Sequence, residues 1–309
     1  MPLAPIVLFV YNRPWHTEQT LNALAANDLA DESVLYIYAD GPKNDSSIEV
    51  LENIKKTRDI IKRQKWCKAV YVIESEINKG LANSIIQGVT DVVNKHGKII
   101  VLEGDLVTHP FFLTYMNEYL NVYENNDSVI SIHGYMYPVK KEIKTPFFIK
   151  GADCWGWATW KRGWDLFEYN SKLLLDKLLK ANQSREFNFN NTYNYTSLLK
   201  AEIEGKVDSW AIRWYASAFL LDKLTLYPPV SLVQNIGHDG SGTHKDNFEN
   251  KASKTFNFKN FELKEIEVSE DNKVKRQIEV LFRGNHNFIR KITQKIKFIL
   301  SDKKSISYE

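Results

Sequence analysis

The chain has 309 residues, 43% hydrophobic and 26% charged, with a net charge of +3. That length buries a sizeable core and fits one large domain or two modest ones. The charge is too small to indicate nucleic acid, and two cysteines, Cys67 and Cys154, make neither a disulfide framework nor a zinc-site spacing.

The first third alternates strand and helix. PIVLFVYN is an apolar strand, and HTEQTLNALAAN a helix with Leu21 and Leu24 inward. SVLYIYADG is a second strand, ending on Asp40-Gly41, and DSSIEVLENIKKTRDIIKRQ a long amphipathic helix with Asp45 or Ser46 as N-cap. KAVYVIES, GLANSIIQGVTDVVNKH and GKIIVLEGD continue as strand, helix, strand. Near-continuous apolar strands separated by helices predict a parallel sheet covered on both faces, and such sheets bind ligands at their carboxyl ends. After Pro110 come a helix (FFLTYMNEYLNVYEN), a strand (SVISIHGY), a segment dense in Trp, and a polar helical stretch over 170–200. The remainder after SLVQNIGHDGSGTH is lysine-rich. The opening MPLAPIVLFVYNRP reads as a first strand rather than a signal peptide. No stretch is long enough to span a membrane, and the expectation is a cytoplasmic protein in a reducing compartment.

The fourth strand, Ile99 to Leu102, stops on Glu103-Gly104-Asp105. Two carboxylates so close repel each other and resist burial unless something positive sits beside them. Oxygen ligands suit Mg²⁺ or Mn²⁺, which keep water and take further ligands from substrate phosphates; the alternative is a solvated strand end. Trp155, Trp157, Trp160 and Trp164 do not share one helical face. Trp155 and Trp157 are candidate platforms for a sugar ring, Gly156 between them a point of close approach to that sugar, and Trp160 and Trp164 platforms or core.

YNRP at 11–14, ADGP at 39–42, NKGLANSI at 78–85, LEGD at 102–105 and WGWATW at 155–160 resemble nucleotide-sugar glycosyltransferases of the GT-A fold. DSWAIRW at 208–214 and SLVQNIGHDGSGTH at 231–244 extend the likeness, which covers residues 4–245. It is nearer the inverting branch that includes the N-acetylglucosaminyltransferase initiating complex N-glycan antennae, and bacterial sugar transferases of polysaccharide synthesis look similar. The resemblance implies a Rossmann-like, mostly parallel sheet flanked by helices. It divides into a nucleotide-sugar-binding part (1–110), an acceptor-binding and catalytic part (111–245) and a basic helical extension (246–309). Those enzymes often carry Glu-Asp-Asp where this chain has Gly104, which leaves the site one negative charge poorer.

Carried over, Asn12 and Arg13 approach the nucleotide or its phosphates, and Asp40 accepts a bond from the uracil imide. Asn78, Lys79 and Gly80 pass over ribose and phosphates, glycine allowing close approach. Glu103 faces ribose or sugar, and Asp105 binds the metal, which neutralises the leaving diphosphate. His238, in a glycine-rich loop, is a further metal or diphosphate ligand, with His244 behind it. Inverting transfer needs a general base. The choice is Asp208, which can equally be the N-cap of the helix after it; Asp153 and Asp239 are runners-up.

In NFIRKITQKIKFIL, Phe288, Ile292, Ile296 and Ile299 or Leu300 make one helical stripe with Arg290, Lys291, Lys295 and Lys297 off it. That pattern suits a helix on an anionic membrane surface or one docked on the catalytic body. The expected partners are a nucleotide-sugar donor and a glycan or lipid-linked acceptor, at the inner face of the membrane if the tail touches lipid. A carbohydrate-binding or host-interaction protein that lost turnover, and a sugar nucleotidyltransferase, are the competing readings. The second lacks the glycine-rich, arginine-bearing loop it needs after the first strand, where YNRPWHT stands.

Overall fold

The structure, a computed structural model, describes residues 2–240 and 261–284. Strands β1 (Ile6–Val10), β2 (Val34–Ala39), β3 (Ala69–Glu74) and β4 (Lys98–Glu103) are joined by helices α1 (Pro14–Ala25), α2 (Ile48–Lys62) and α3 (Leu81–His96). There follow β5 (Leu106–Thr108), α4 (Phe112–Val122), β6 (Val129–His133), β7 (Phe147–Lys150), β8 (Trp157–Trp160) and α5 (Lys161–Trp164). The last are α6 (Ser171–Lys180), α7 (Ser184–Phe187), α8 (Tyr195–Ile203), α9 (Trp210–Leu220), β9 (Leu224–Tyr227), β10 (Val233–Asn235) and a helix over 272–284.

The main sheet has eight strands in the order β3-β2-β1-β4-β8-β6-β9-β7. Strands β1 to β4, β6 and β9 run one way, and β7 and β8 run the other. The expected α/β fold, a mostly parallel sheet flanked by helices, is what the chain forms. Alternation of side chains across a strand divides the core in two. Ile6, Leu8, Val10, Ile100 and Leu102 pack on the α1 and α4 side, while Val7, Phe9, Ile99 and Val101 pack under α3 and α9. With both faces covered, β1 is buried throughout, which is why its sequence is apolar without alternation.

Helix ends follow local chemistry. Pro14 opens α1 at its first turn. Gly97, in the left-handed region, closes α3, whose last turn carries Lys95 and His96. The N-cap of α2 is Ser47, accepting from Val50 N, rather than Asp45 or Ser46. Residues 261–284 pack on the body: Tyr119 and Tyr123 hydroxyls donate to the Lys264 and Ile266 carbonyls. Phe148 also forms a parallel bridge with Glu270. The basic stripe from Phe288 to Leu300, and His244, lie outside the described residues. No helix among the described residues is long and apolar enough to cross a membrane. Cys67 and Cys154 are both unpaired.

Candidate functional site

Because β1, β2 and β4 run in parallel as neighbours, their carboxyl ends deliver Asn12, Arg13, Asp40, Glu103 and Asp105 to one edge of the sheet. The positive group beside the carboxylates is an arginine. Arg13 Nη1 donates to Asp105 Oδ2 at 2.9 Å, and Nη2 donates at 3.1 Å to both the Gly237 carbonyl and Asp239 Oδ1. His16 Nε2 lies 2.7 Å from Arg13 Nη2 and 2.9 Å from Asp239 Oδ2. Burial first, and then the Arg13 charge, lower the His16 pKa, which favours a neutral ring accepting from Arg13. Glu103, partly buried at the end of β4, is pushed up to about 8 by desolvation and then by Asp105. Around neutral pH it is largely protonated, which relieves the repulsion its position creates.

The loop carrying His238 is fastened onto Asp105 by a second, two-stranded sheet. β10 pairs antiparallel with β5, and Ile236 N donates to the Asp105 carbonyl at 2.9 Å. A Cβ on Gly237 would overlap Asp105 Oδ2 and stand 2.9 Å from Arg13 Nη1, so any larger residue here must push the Asp105 and Arg13 side chains aside. Gly104 is crowded too: a Cβ there would sit 3.2 Å from the Phe9 carbonyl and 3.3 Å from Thr17 Oγ1. Packing against β1 is therefore a reason for the missing middle carboxylate.

Asp40, 9% exposed, has both oxygens engaged. Oδ1 accepts from Gly41 N and Lys79 N at 2.9 Å, and Oδ2 from Asn78 Nδ2 at 3.0 Å and Gly80 N at 3.1 Å. Four bonds fill the acceptor positions of a carboxylate. Asp40 thus clamps the 78–80 loop to the end of β2, and a bond from a uracil imide would have to displace one of these four. Asn78 also donates to the Gly41 carbonyl, and Lys79 Nζ reaches Gln87 at 2.9 Å. Gly80 holds φ +79, and its Cβ position is 3.8 Å from Asp208 Oδ2. Asp208 therefore faces the loop Asp40 holds. It is not the cap of α9: Ser209 is, accepting from Ile212 N. The Asp208 side chain is 61% exposed, 3.5 Å from Arg213 Nη2.

Two expectations for the Trp segment are corrected. Trp157 is fully buried, with ring centroids 5.5 Å from those of both Trp210 and Trp214, and cannot face a sugar. The reason is that 157–160 is a strand, so Trp157 and Trp160 point into the cores on opposite faces of the sheet. Trp164 is buried core as well. Gly156 makes its close approach to Val233 and Phe112, not to a ligand. Trp155 is different: half-buried, it stands 5.5 Å from the His238 ring and 4.8 Å from Tyr135, walling the site beside Asp105.

Among the described residues no three His, Cys, Asp or Glu side chains converge as a cation site. The residues do fit a hard cation that completes its shell with phosphate oxygens. Asp105 offers a carboxylate, and both ring nitrogens of His238 are buried without a hydrogen-bond partner, next to a glycine that abuts that carboxylate.

No family profile and no curated protein matches the chain. Solved structures do resemble it in part. A mannosyltransferase of Pyrobaculum calidifontis in complex with GDP-Man and Mn²⁺ gives a TM-score of 0.33 at 13% identity over 44% of this chain. TarS of S. aureus gives 0.32 at 15% over 47%. A glucosyl-3-phosphoglycerate synthase of Mycobacterium tuberculosis, with Mn²⁺, UDP and glucosyl-3-phosphoglycerate, gives 0.32 at 11% over 58%. The chain spans 36%, 24% and 66% of their lengths, in each case less than two thirds. Likeness this slight carries no argument about chemistry, which rests on the residues themselves.

Sequence reasoning missed the Arg13–Asp105 pair, the part of His16 in it, and the polar cluster around Asp153. Asp153 Oδ2 accepts from Tyr137 Oη at 2.6 Å, and Oδ1 from Cys154 N at 2.8 Å. Burial first, and then the neighbouring Asp153, hold the Cys154 thiol well above its ordinary pKa, which disfavours the reactive thiolate.

Proposed function

We propose that the chain is an inverting glycosyltransferase of GT-A type. It moves a sugar from a nucleoside diphosphate, with UDP as the nucleotide, to a hydroxyl of a glycan or lipid-linked saccharide in surface polysaccharide synthesis. One observation carries the reading: at a single sheet edge Arg13 pairs with Asp105, Gly237 lies on both, and the ring nitrogens of the adjoining His238 are buried with no partner among the described residues, beside the loop that Asp40 holds near Asp208. That edge is where parallel sheets bind ligands, and it offers an anionic diphosphate an arginine and a close backbone. The order of motifs from YNRP to SLVQNIGHDGSGTH supports the same reading.

Asp105 and His238 are the residues to hold Mn²⁺ or Mg²⁺, which when bound offsets the negative charge that gathers on the departing diphosphate. Arg13 exchanges its bond to Asp105 for the phosphates, a guanidinium being suited to paired phosphate oxygens. The 78–80 loop lies over ribose and phosphates with Gly80 letting the backbone approach. The acceptor oxygen attacks the anomeric carbon opposite the diphosphate. As the new C–O bond forms, the bond to phosphate breaks, the diphosphate keeps its electron pair, and Asp208 takes the hydroxyl proton. Its exposure and its place beside Gly80 suit a base that meets an incoming acceptor.

The test is a thermal shift with UDP and Mn²⁺, repeated on Asp105→Ala, followed by a screen of UDP-, GDP- and TDP-sugars for slow donor hydrolysis. Stabilisation that needs both metal and nucleotide and disappears in Asp105→Ala is expected. Equal shifts in the two proteins, or none in the wild type, would overturn the reading.

A further inference from the structure

The residues around Asp153 form a polar cluster beside the Asp105 centre that the transfer chemistry leaves unused. Asp153 Oδ2 is a hub: Tyr137 Oη at 2.6 Å, Tyr227 Oη at 3.5 Å and His133 Nε2 at 3.6 Å converge on it. His133 is 0% exposed, and neither ring nitrogen has a hydrogen-bond partner among the described residues. An orphaned buried imidazole beside a carboxylate costs stability and persists where a group that comes and goes completes the set. The Asp153 side chain is 22% exposed, so the hub opens to solvent. Its wall is aromatic: His133 packs edge-on against Tyr227 at 4.9 Å, and Tyr135 lies 4.8 Å from Trp155 and 5.4 Å from Tyr137. Trp155 in turn borders His238, so the cluster adjoins the Asp105 centre and draws on β6, β9 and the 151–156 loop.

We infer that Asp153, with Tyr137, Tyr227 and the face of Trp155, is the subsite that binds the hydroxyl groups of a saccharide acceptor. A carboxylate accepts two hydroxyl protons in charge-assisted bonds, neutral phenols supply donors and acceptors, and flat rings cover the apolar face of a sugar. Placed across Trp155 from Asp105, a saccharide held here lies next to the donor seat. This inference rests on the transferase reading for the word acceptor, but not for the binding itself. Asp153 acts by holding the ligand, and Tyr137 is a positioning residue, since its hydroxyl fixes the carboxylate.

The test is saturation-transfer NMR on the full chain with a panel of methyl glycosides and simple disaccharides, with and without UDP and Mn²⁺. At least one saccharide is expected to show transfer. Asp153→Asn should weaken it tenfold or more, and Tyr137→Phe severalfold, while UDP with Mn²⁺ still raises the melting temperature of both variants. If Asp153→Asn does not fold, Tyr137→Phe and Tyr227→Phe carry the comparison. Equal transfer in wild type and variants, or no saccharide bound by a protein that binds UDP and Mn²⁺, would overturn the inference and leave the donor site standing. Saccharide binding lost in Asp153→Asn without any nucleotide binding would support the subsite and sink the transferase reading.

Discussion

Replacing Asp40 with Asn separates a loop clamp from a base-recognition residue. The carboxylate makes four bonds between 2.9 and 3.1 Å. The amide keeps an oxygen for Gly41 N and Lys79 N, but its nitrogen then faces two donors, Asn78 Nδ2 and Gly80 N. Hydrogen bonds to charged groups contribute roughly 1.5–3 kcal/mol each, so losing two and opposing donors to donors costs about 3 kcal/mol or more. For a chain this long, 1 kcal/mol moves the midpoint by roughly 2–3 °C, and Asp40→Asn should melt about 6–9 °C lower with no ligand present. Differential scanning calorimetry of the ligand-free proteins reads this directly. An unchanged midpoint together with weakened UDP binding would refute the clamp, because a residue that only recognises the base is silent without it.

Ser209→Ala should cost about 1 kcal/mol through the lost α9 cap and leave transfer intact. Asp208→Asn should leave the melting temperature within about 1 °C, as an exposed side chain allows, and lower transfer about a hundredfold or more; the reverse pattern would exchange their roles. Between the unfolded carboxyl range near 4.5 and the folded value of about 8, Glu103 keeps its proton only in the folded chain. Stability without divalent cation should therefore fall as pH rises from about 5 to 8, by up to roughly 1.4 kcal/mol per unit. Glu103→Gln should flatten that slope, and parallel pH profiles would contradict the assignment. Gly237→Ala drives a methyl into Asp105 Oδ2. It should abolish the UDP- and Mn²⁺-dependent thermal shift while the fold, read by circular dichroism, persists.

What the sequence disclosed was decided locally. Strands β1, β2 and β4 are apolar runs that stop at Tyr11-Asn12, Asp40-Gly41 and Glu103-Gly104, and their direction follows from the helices between them. That alone places Arg13, Asp40, Glu103 and Asp105 on one edge. The later strands β7, β8 and β9 are four residues each, too short for a periodic signal, and β8 hides in a Trp block. Its strand nature makes Trp157 core, whereas four Trp off a single helical face read in sequence as the lining of a groove. The β5–β10 ribbon, which lays Gly237 on Asp105, joins segments far apart in the chain and leaves no local mark beyond the glycines. Asp40-Gly41-Pro42 reads as a turn, but the second loop that fills the carboxylate is visible only in three dimensions. The cation demanded by Glu103 and Asp105 was legible. That Arg13 supplies it in the ligand-free protein was not, since composition does not say which strand end faces which.

The most direct test is a crystal of the protein grown with UDP and MnCl₂, with data collected at the manganese absorption edge. An anomalous peak against the Asp105 carboxylate, a diphosphate beside it and Arg13 turned from Asp105 to phosphate is the predicted result. Nucleotide bound elsewhere, with the Arg13–Asp105 pair intact and no peak at that strand end, would contradict it.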